Sequence, residues 1–184
     1  MTRATAFEIL KKHLNNKKLF SHSLATEATM RALAPKFNGD VEEWGITGLL
    51  HDADYDKAKG FPDQHGMLLT KLEPNTIPTA VEHAIQSHNY EFTHVIPVSP
   101  MDWAITCCDE LTAIIVFLAQ EQKEKSLTSL TTNLILTKLK DKHFAKGAKR
   151  ETIYFCKEKL GIPLEDFVAI TLTAMQGIHT ELGL

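Results

Sequence analysis

His51 and Asp52 stand side by side where an apolar helical run, Ile46–Leu50, gives way to the polar stretch 53–64. An imidazole and a carboxylate at the end of a buried helix are costly to desolvate unless something compensates them, and a divalent cation does so. Neutral imidazole combined with carboxylate suits borderline metals such as iron or manganese. Taken alone, the dipeptide has an ordinary explanation: histidine favours the C-terminal dipole of a helix and aspartate starts a turn. Two more residues tip the balance. His22 lies on an upstream helix, and Asp109 lies midway along the most apolar helix of the chain. Ionised aspartate is seldom buried in such a place unless paired or metal-bound. Asp102 is a rival acid on the same helix, but a role at the helix N-terminus already accounts for it.

Most of the nine histidines carry no such signal. His13 sits on a lysine-rich helix and is expected to be exposed. His94, His143 and His179 have no acidic or histidine neighbour at a telling spacing, so surface or capping roles suffice.

The elements that must position these residues are helices. Aliphatic residues, Ala, Lys and Glu are common while Gly and Pro are sparse, and no segment alternates as a strand would. The punctuation predicts helices over 3–17, 20–37 and 40–50, a loop over 53–64, and a short helix from His65. A helix capped by Asn75 over 76–89 follows, then a loop or extended piece over 91–99. Ser99-Pro100-Met101-Asp102 is a strong helix start, and the helix it opens has apolar residues almost all round its axis, which marks it as the central buried one. Residues 126–141, 146–160 and 163–182 supply three more. The expected architecture is an all-α bundle, with 1–184 as one domain and a metal-site core over about 20–115.

Composition narrows the function. At 43% hydrophobic and 23% charged residues the chain is of globular type, and its formal net charge of −3 gives no support for binding duplex nucleic acid. Three cysteines, Cys107, Cys108 and Cys156, form no disulfide framework. The N-terminus lacks the apolar stretch of a signal peptide, and no run is long enough to span a membrane. A cytoplasmic setting is expected.

The order His22, His51-Asp52, Asp109 resembles the H…HD…D pattern of the HD-domain superfamily of metal-dependent phosphohydrolases. That resemblance implies that the four residues ligate one divalent metal. The wider pattern LLHDADY…DQHG…AIQSHN looks like the His-rich dinuclear branch, typified by dinucleoside tetraphosphate hydrolases of the YqeK type. It implies a second ion held by His65 and His88, with Asp52 bridging the pair. His83 competes with His88, but the two are five positions apart and share no helix face. Where many relatives read HDIGK, this chain reads HDADY, so Tyr55 stands in the place of the phosphate-contacting lysine. Lys57, Lys59 and Arg31 are the candidate replacements. No GYP motif is present, which speaks against cyclic-di-GMP hydrolysis.

The resemblance implies one or two divalent ions, drawn from Fe, Mn, Mg or Zn, and a small phosphorylated substrate, expected to be a nucleotide. Water activated by the ions would cleave a phosphate ester or anhydride. Asp52 would be catalytic through the ions, Lys57 would contact phosphate, and Asp54 would be a general acid or base, with Asp56 more simply a solvated loop acid. A mononuclear nucleoside-monophosphate phosphatase and a catalytically silent nucleotide-binding HD domain are the alternatives.

Overall fold

Asparagine and proline set the helix boundaries at several points where apolar periodicity alone would run on. A computed structural model describes residues 1–184. Helix α1 (Arg3–His13) stops early because Asn16 caps a new helix, its side chain accepting from the backbone N–H groups of Lys18 and Leu19. Helix α2 (Lys17–Leu33) gives way to a 3-10 turn at Ala34–Phe37, which contains Pro35 and closes on Asn38 in the left-handed conformation. Helix α3 (Val41–Leu50) is capped by Asp40 and ends at His51.

The stretch expected to be a loop contains the one-turn helix α4 (Tyr55–Ala58), and the helix expected from His65 begins later, as α5 (Leu68–Leu72). Asn75 is not the cap of the following helix. It sits at φ 58°, and α6 (Thr79–His88) starts only after Pro78. Proline disfavours helical geometry in the residue before it, so Ile77 cannot belong to the helix. A further single turn, α7 (Tyr90–Thr93), precedes the extended segment leading to Ser99.

Helix α8 (Pro100–Glu121) is the axis of the bundle. Ser99 and Asp102 form a reciprocal cap: the serine hydroxyl accepts from the Asp102 N–H, and the Asp102 carboxylate accepts from the Ser99 N–H. Residues Ala104, Ile105, Cys107, Cys108, Leu111 and Ile115 of α8 are fully enclosed. Helices α2 and α6, with α10 (Arg150–Leu160) and α11 (Leu164–Gly177) of the C-terminal part, pack around it. The C-terminal part comprises α9 (Thr132–Lys140), α10 (Arg150–Leu160), α11 (Leu164–Gly177) and α12 (His179–Leu182). The structure is all-α, as the composition and periodicity predict, with no strand. One cluster of 41 buried apolar residues runs from Ala6 to Leu182. No helix is long and apolar enough to cross a membrane.

Candidate metal centre

Two close backbone approaches bring the histidines together. Gly48 of α3 lies so near α2 that a methyl group there would stand 2.7 Å from the Thr26 carbonyl oxygen and 2.8 Å from the Glu27 nitrogen. Only glycine permits this approach without a shift, and it sets His22, one turn before Thr26, against His51, at the end of α3. Gly66 does the same for the second pair. Its φ is +87°, and a methyl group there would meet the Ile85 carbonyl oxygen at 2.8 Å. The loop is thereby pressed onto α6, and His65 faces His88.

The first group consists of His22, His51, Asp52 and Asp109. His22 Nε2 lies 3.2 Å from His51 Nε2 and 2.8 Å from Asp109 Oδ1. Asp52 Oδ2 is 3.5 Å from His51 Nε2 and 3.7 Å from His22 Nε2, and Asp109 Oδ1 is 3.5 Å from His51 Nε2. The second group is reached through the other oxygen of the same carboxylate. Asp52 Oδ1 is 3.1 Å from His65 Nε2, which is 3.1 Å from His88 Nε2. Ligand atoms about 2.1 Å from one ion stand roughly 3.0–3.4 Å apart at octahedral or tetrahedral angles; the second group matches this at 3.1 Å, and the first brackets it at 2.8–3.7 Å. His22, His51 and Asp52, and separately Asp52, His65 and His88, offer donor atoms that could hold a metal ion.

Each imidazole turns Nε2 to the centre because its Nδ1 is engaged elsewhere. His51 Nδ1–H donates to the Gly48 carbonyl at 2.8 Å, and His88 Nδ1–H donates to the Ile85 carbonyl. His65 Nδ1–H donates to Asp54 Oδ1 at 2.9 Å, and His22 Nδ1 faces the Thr112 hydroxyl at 3.3 Å. That hydroxyl donates in turn to the Asp109 carbonyl at 2.8 Å. Such partners fix tautomer and ring orientation and raise ligand basicity.

The electrostatics of the ion-free cluster show what a cation would replace. Burial alone would push His51 down, but Asp52 and Asp109 outweigh it and raise it to about 9. Burial likewise opposes charge on His65, and hydrogen bonds to Asp52 and Asp54 raise it to about 10. Desolvation, together with the facing His65 and His51, lowers His88 to about 4. Asp52 and Asp109 are held well below the ordinary carboxylate range despite burial, Asp52 by His51, His65 and His22, Asp109 by His22 and His51. Without an ion, protonated imidazoles neutralise two carboxylates. A divalent cation held there would take over that role and displace the protons.

Other residues named from the sequence fall elsewhere. Asp54 is 1% exposed and accepts the backbone N–H groups of Gly66, Leu68 and Leu69 besides contacting His65. Its oxygens are thus occupied by backbone N–H groups and His65, and it does not line the cavity where acid–base work was expected of it. Lys57 lines no part of the cavity above the cluster; its ammonium reaches His13 Nδ1. His13 is itself buried, against expectation, with Nε2 on Glu73 at 2.5 Å. Arg31 is held by Glu27 and Glu42, and Lys59 lies beside a smaller neighbouring pocket. Asp56 caps the α1–α2 junction, accepting from the N–H groups of Asn15 and Asn16. His83 stands outside the cluster, its Nδ1 3.1 Å from Asp102.

The cavity itself measures about 890 Å³. His22, Asp52, His65, His88 and Asp109 form part of its wall, and Tyr55 lines it beside His65, ring centroids 5.2 Å apart. Lys17, Lys18 and Lys149 also line it, and sequence reasoning missed all three. Phe92 and Phe117 are half-exposed there. Glu110 joins the wall, and burial together with Asp109 raises it to about 7.

The family profile described as the HD domain matches residues 19–142, a span that holds all six residues of the two groups. The chain belongs to the HD-domain family. Its superfamily consists of metal-dependent phosphohydrolases, and the His/Asp groups above are where this member could hold divalent metal. No curated protein and no solved structure matches the chain.

Proposed function

We propose that this HD-domain protein is a dinuclear phosphohydrolase that cleaves a phosphate ester or anhydride of a nucleotide. One observation carries the reading. The two oxygens of Asp52 face two different histidine groups, each at coordination spacing, on the wall of one cavity. His22, His51, Asp52 and Asp109 would hold one ion, and Asp52, His65 and His88 the other. The mixed imidazole and carboxylate donors suit iron or manganese better than magnesium. Two such ions, when bound, acidify water and neutralise the oxygens of a phosphoryl group.

The chain's own residues do the rest. Asp52 sets the distance between the two positions. Thr112 and Asp54 hold His22 and His65 in their ligating tautomers. Lys17 and Lys18, on the first turn of α2, offer cations to phosphate oxygens where Lys57 does not. Phe92 and Phe117 give a planar base an apolar surface to lie on. The reading takes residues 1–184 as one functional unit, because Lys149, Thr152 and Leu182 wall the same cavity from beyond the matched span.

Metal analysis of anaerobically purified protein, followed by turnover on a nucleotide panel, tests this. Two ions per chain and hydrolysis of at least one nucleotide are the expected result. One ion per chain with turnover would leave a mononuclear phosphatase, and bound nucleotide without turnover would leave a sensor.

A further inference from the structure

The segment 138–150 is the most basic in the chain. It carries Lys138, Lys140, Lys142, Lys146, Lys149 and Arg150 against one acid, Asp141, in a protein of formal net charge −3. Arg150 turns inward. Its guanidinium donates to the carbonyls of Asp141, Phe144 and Ala145, and its buried Nε–H has no partner. Ala145 is held at φ 43°, a conformation alanine adopts only when its surroundings impose it. The loop is therefore organised from within, while its lysines face out. Lys140, Lys142 and Lys146 are exposed and have no acidic partner within ion-pair distance.

This platform adjoins the cavity. Phe144 packs on Phe117, ring centroids 5.2 Å apart, and Lys138 lies 5.2 Å over Phe144. Lys149 closes the other side, 2.7 Å from Glu91 and 5.1 Å over the ring of Phe92. Surface lysines that repel one another are stabilised by a bound anion, and a like-charged group beside a concave site concentrates anionic ligands there.

We infer that the segment 138–149 is a preformed platform for a polyphosphate chain, holding the anionic part of the substrate that extends from the cavity beyond the cleaved phosphate. This rests on the phosphohydrolase reading for the word substrate, but not for the binding itself. An oligonucleotide is the less favoured occupant, because the lysines without an acidic partner here lie on one short segment beside a cavity of about 890 Å³.

The test uses the full chain stripped of metal by chelation, with inorganic tripolyphosphate and orthophosphate as probes in calorimetry. A triple variant, Lys140→Gln/Lys142→Gln/Lys146→Gln, is compared with Lys36→Gln/Lys71→Gln/Lys157→Gln, which changes net charge equally at exposed lysines elsewhere. Tripolyphosphate affinity should fall about tenfold or more in the loop variant alone, with a shallower salt dependence. Orthophosphate, too short to reach both regions, should bind weakly to all three proteins. Equal affinity of loop variant and control overturns the inference, as does a loss of single-stranded oligonucleotide binding with tripolyphosphate binding intact. In metal-loaded protein, the loop variant should raise KM for a nucleoside triphosphate more than for a monophosphate. If the protein shows no turnover at all, the phosphohydrolase reading fails while the calorimetry still decides the platform.

Discussion

The two halves of the candidate metal centre are built differently. His22, His51 and Asp109 stand on or at the end of the long helices α2, α3 and α8, and His51 is fully enclosed. His65 comes from a loop and His88 from the last position of α6, and both are partly exposed. The helical half is held by packing of apolar faces. The loop half is held by a few polar contacts: Asp54 accepts the backbone N–H groups of Gly66, Leu68 and Leu69, and the Asn89 amide donates to the carbonyls of Pro62 and His65. A site on packed helices keeps its geometry without ligand better than one on a loop. The helical position should therefore bind its ion more tightly, and the loop position should be the labile one.

Asp52→Ala should give the largest effect, because it removes a donor from both halves at once. Both ions and all turnover should be lost while circular dichroism stays native, and a variant that keeps both ions would break the bridging role. Next in size, His88→Ala should retain one ion and His83→Ala both, measured by metal analysis. Chelator titration of the wild type sharpens the contrast: the ion lost first should be the one His88→Ala lacks. Asp54→Ala should weaken that same ion by about 10–100-fold and leave the other unchanged. It should also lower stability by about 1–3 kcal/mol for each backbone N–H left without a partner, read by denaturant unfolding.

The pH dependence follows from the histidines. In ion-free protein His51 and His65 are raised to about 9 and about 10, above the unfolded value near 6.5. Their contribution to stability is present below pH about 6.5 and lost as pH rises through the folded values. His88, lowered to about 4, acts in the opposite direction: stability falls as pH drops from about 6.5 toward 4. Metal uptake near neutrality should release protons, and the gap in Tm between loaded and ion-free protein should widen from pH 7 to 9. A gap that narrows would contradict the exchange of protons for metal. The smallest effect should be that of Thr112→Val, which frees His22 Nδ1 and should weaken the helical ion by at most about tenfold.

Much of this was legible in the residues before any coordinates. The helical class, the buried α8 and the Ser99–Asp102 cap follow from periodicity and local chemistry. The positions of Asp54 and Lys57 do not. Asp54 is defined by backbone groups 12 to 15 residues downstream, and loop closure leaves no periodic trace. Lys57 sits two residues after Tyr55 on a single helical turn, a rotation of about 200°, so that Tyr55 lines the cavity while Lys57 meets His13. Gly48 and Gly66 were visible as letters, but only the neighbouring backbones reveal what their missing methyl groups permit. The basic run 138–150 is readable from charge alone, but the net charge of −3 masks it.

The six candidate ligands come from five separated parts of the chain: α2, the end of α3, the loop before α5, the end of α6 and α8. Only His51 and Asp52 are adjacent in sequence, so the unfolded polypeptide offers a cation two donors and nothing more. The remaining donors arrive only after contacts spanning up to 87 residues have formed, as between His22 and Asp109. Metal loading would thus be a late event, following chain collapse rather than nucleating it. Folding speed should accordingly be indifferent to the metal in the medium, whereas the rate of unfolding should slow in proportion to how firmly the ion is held.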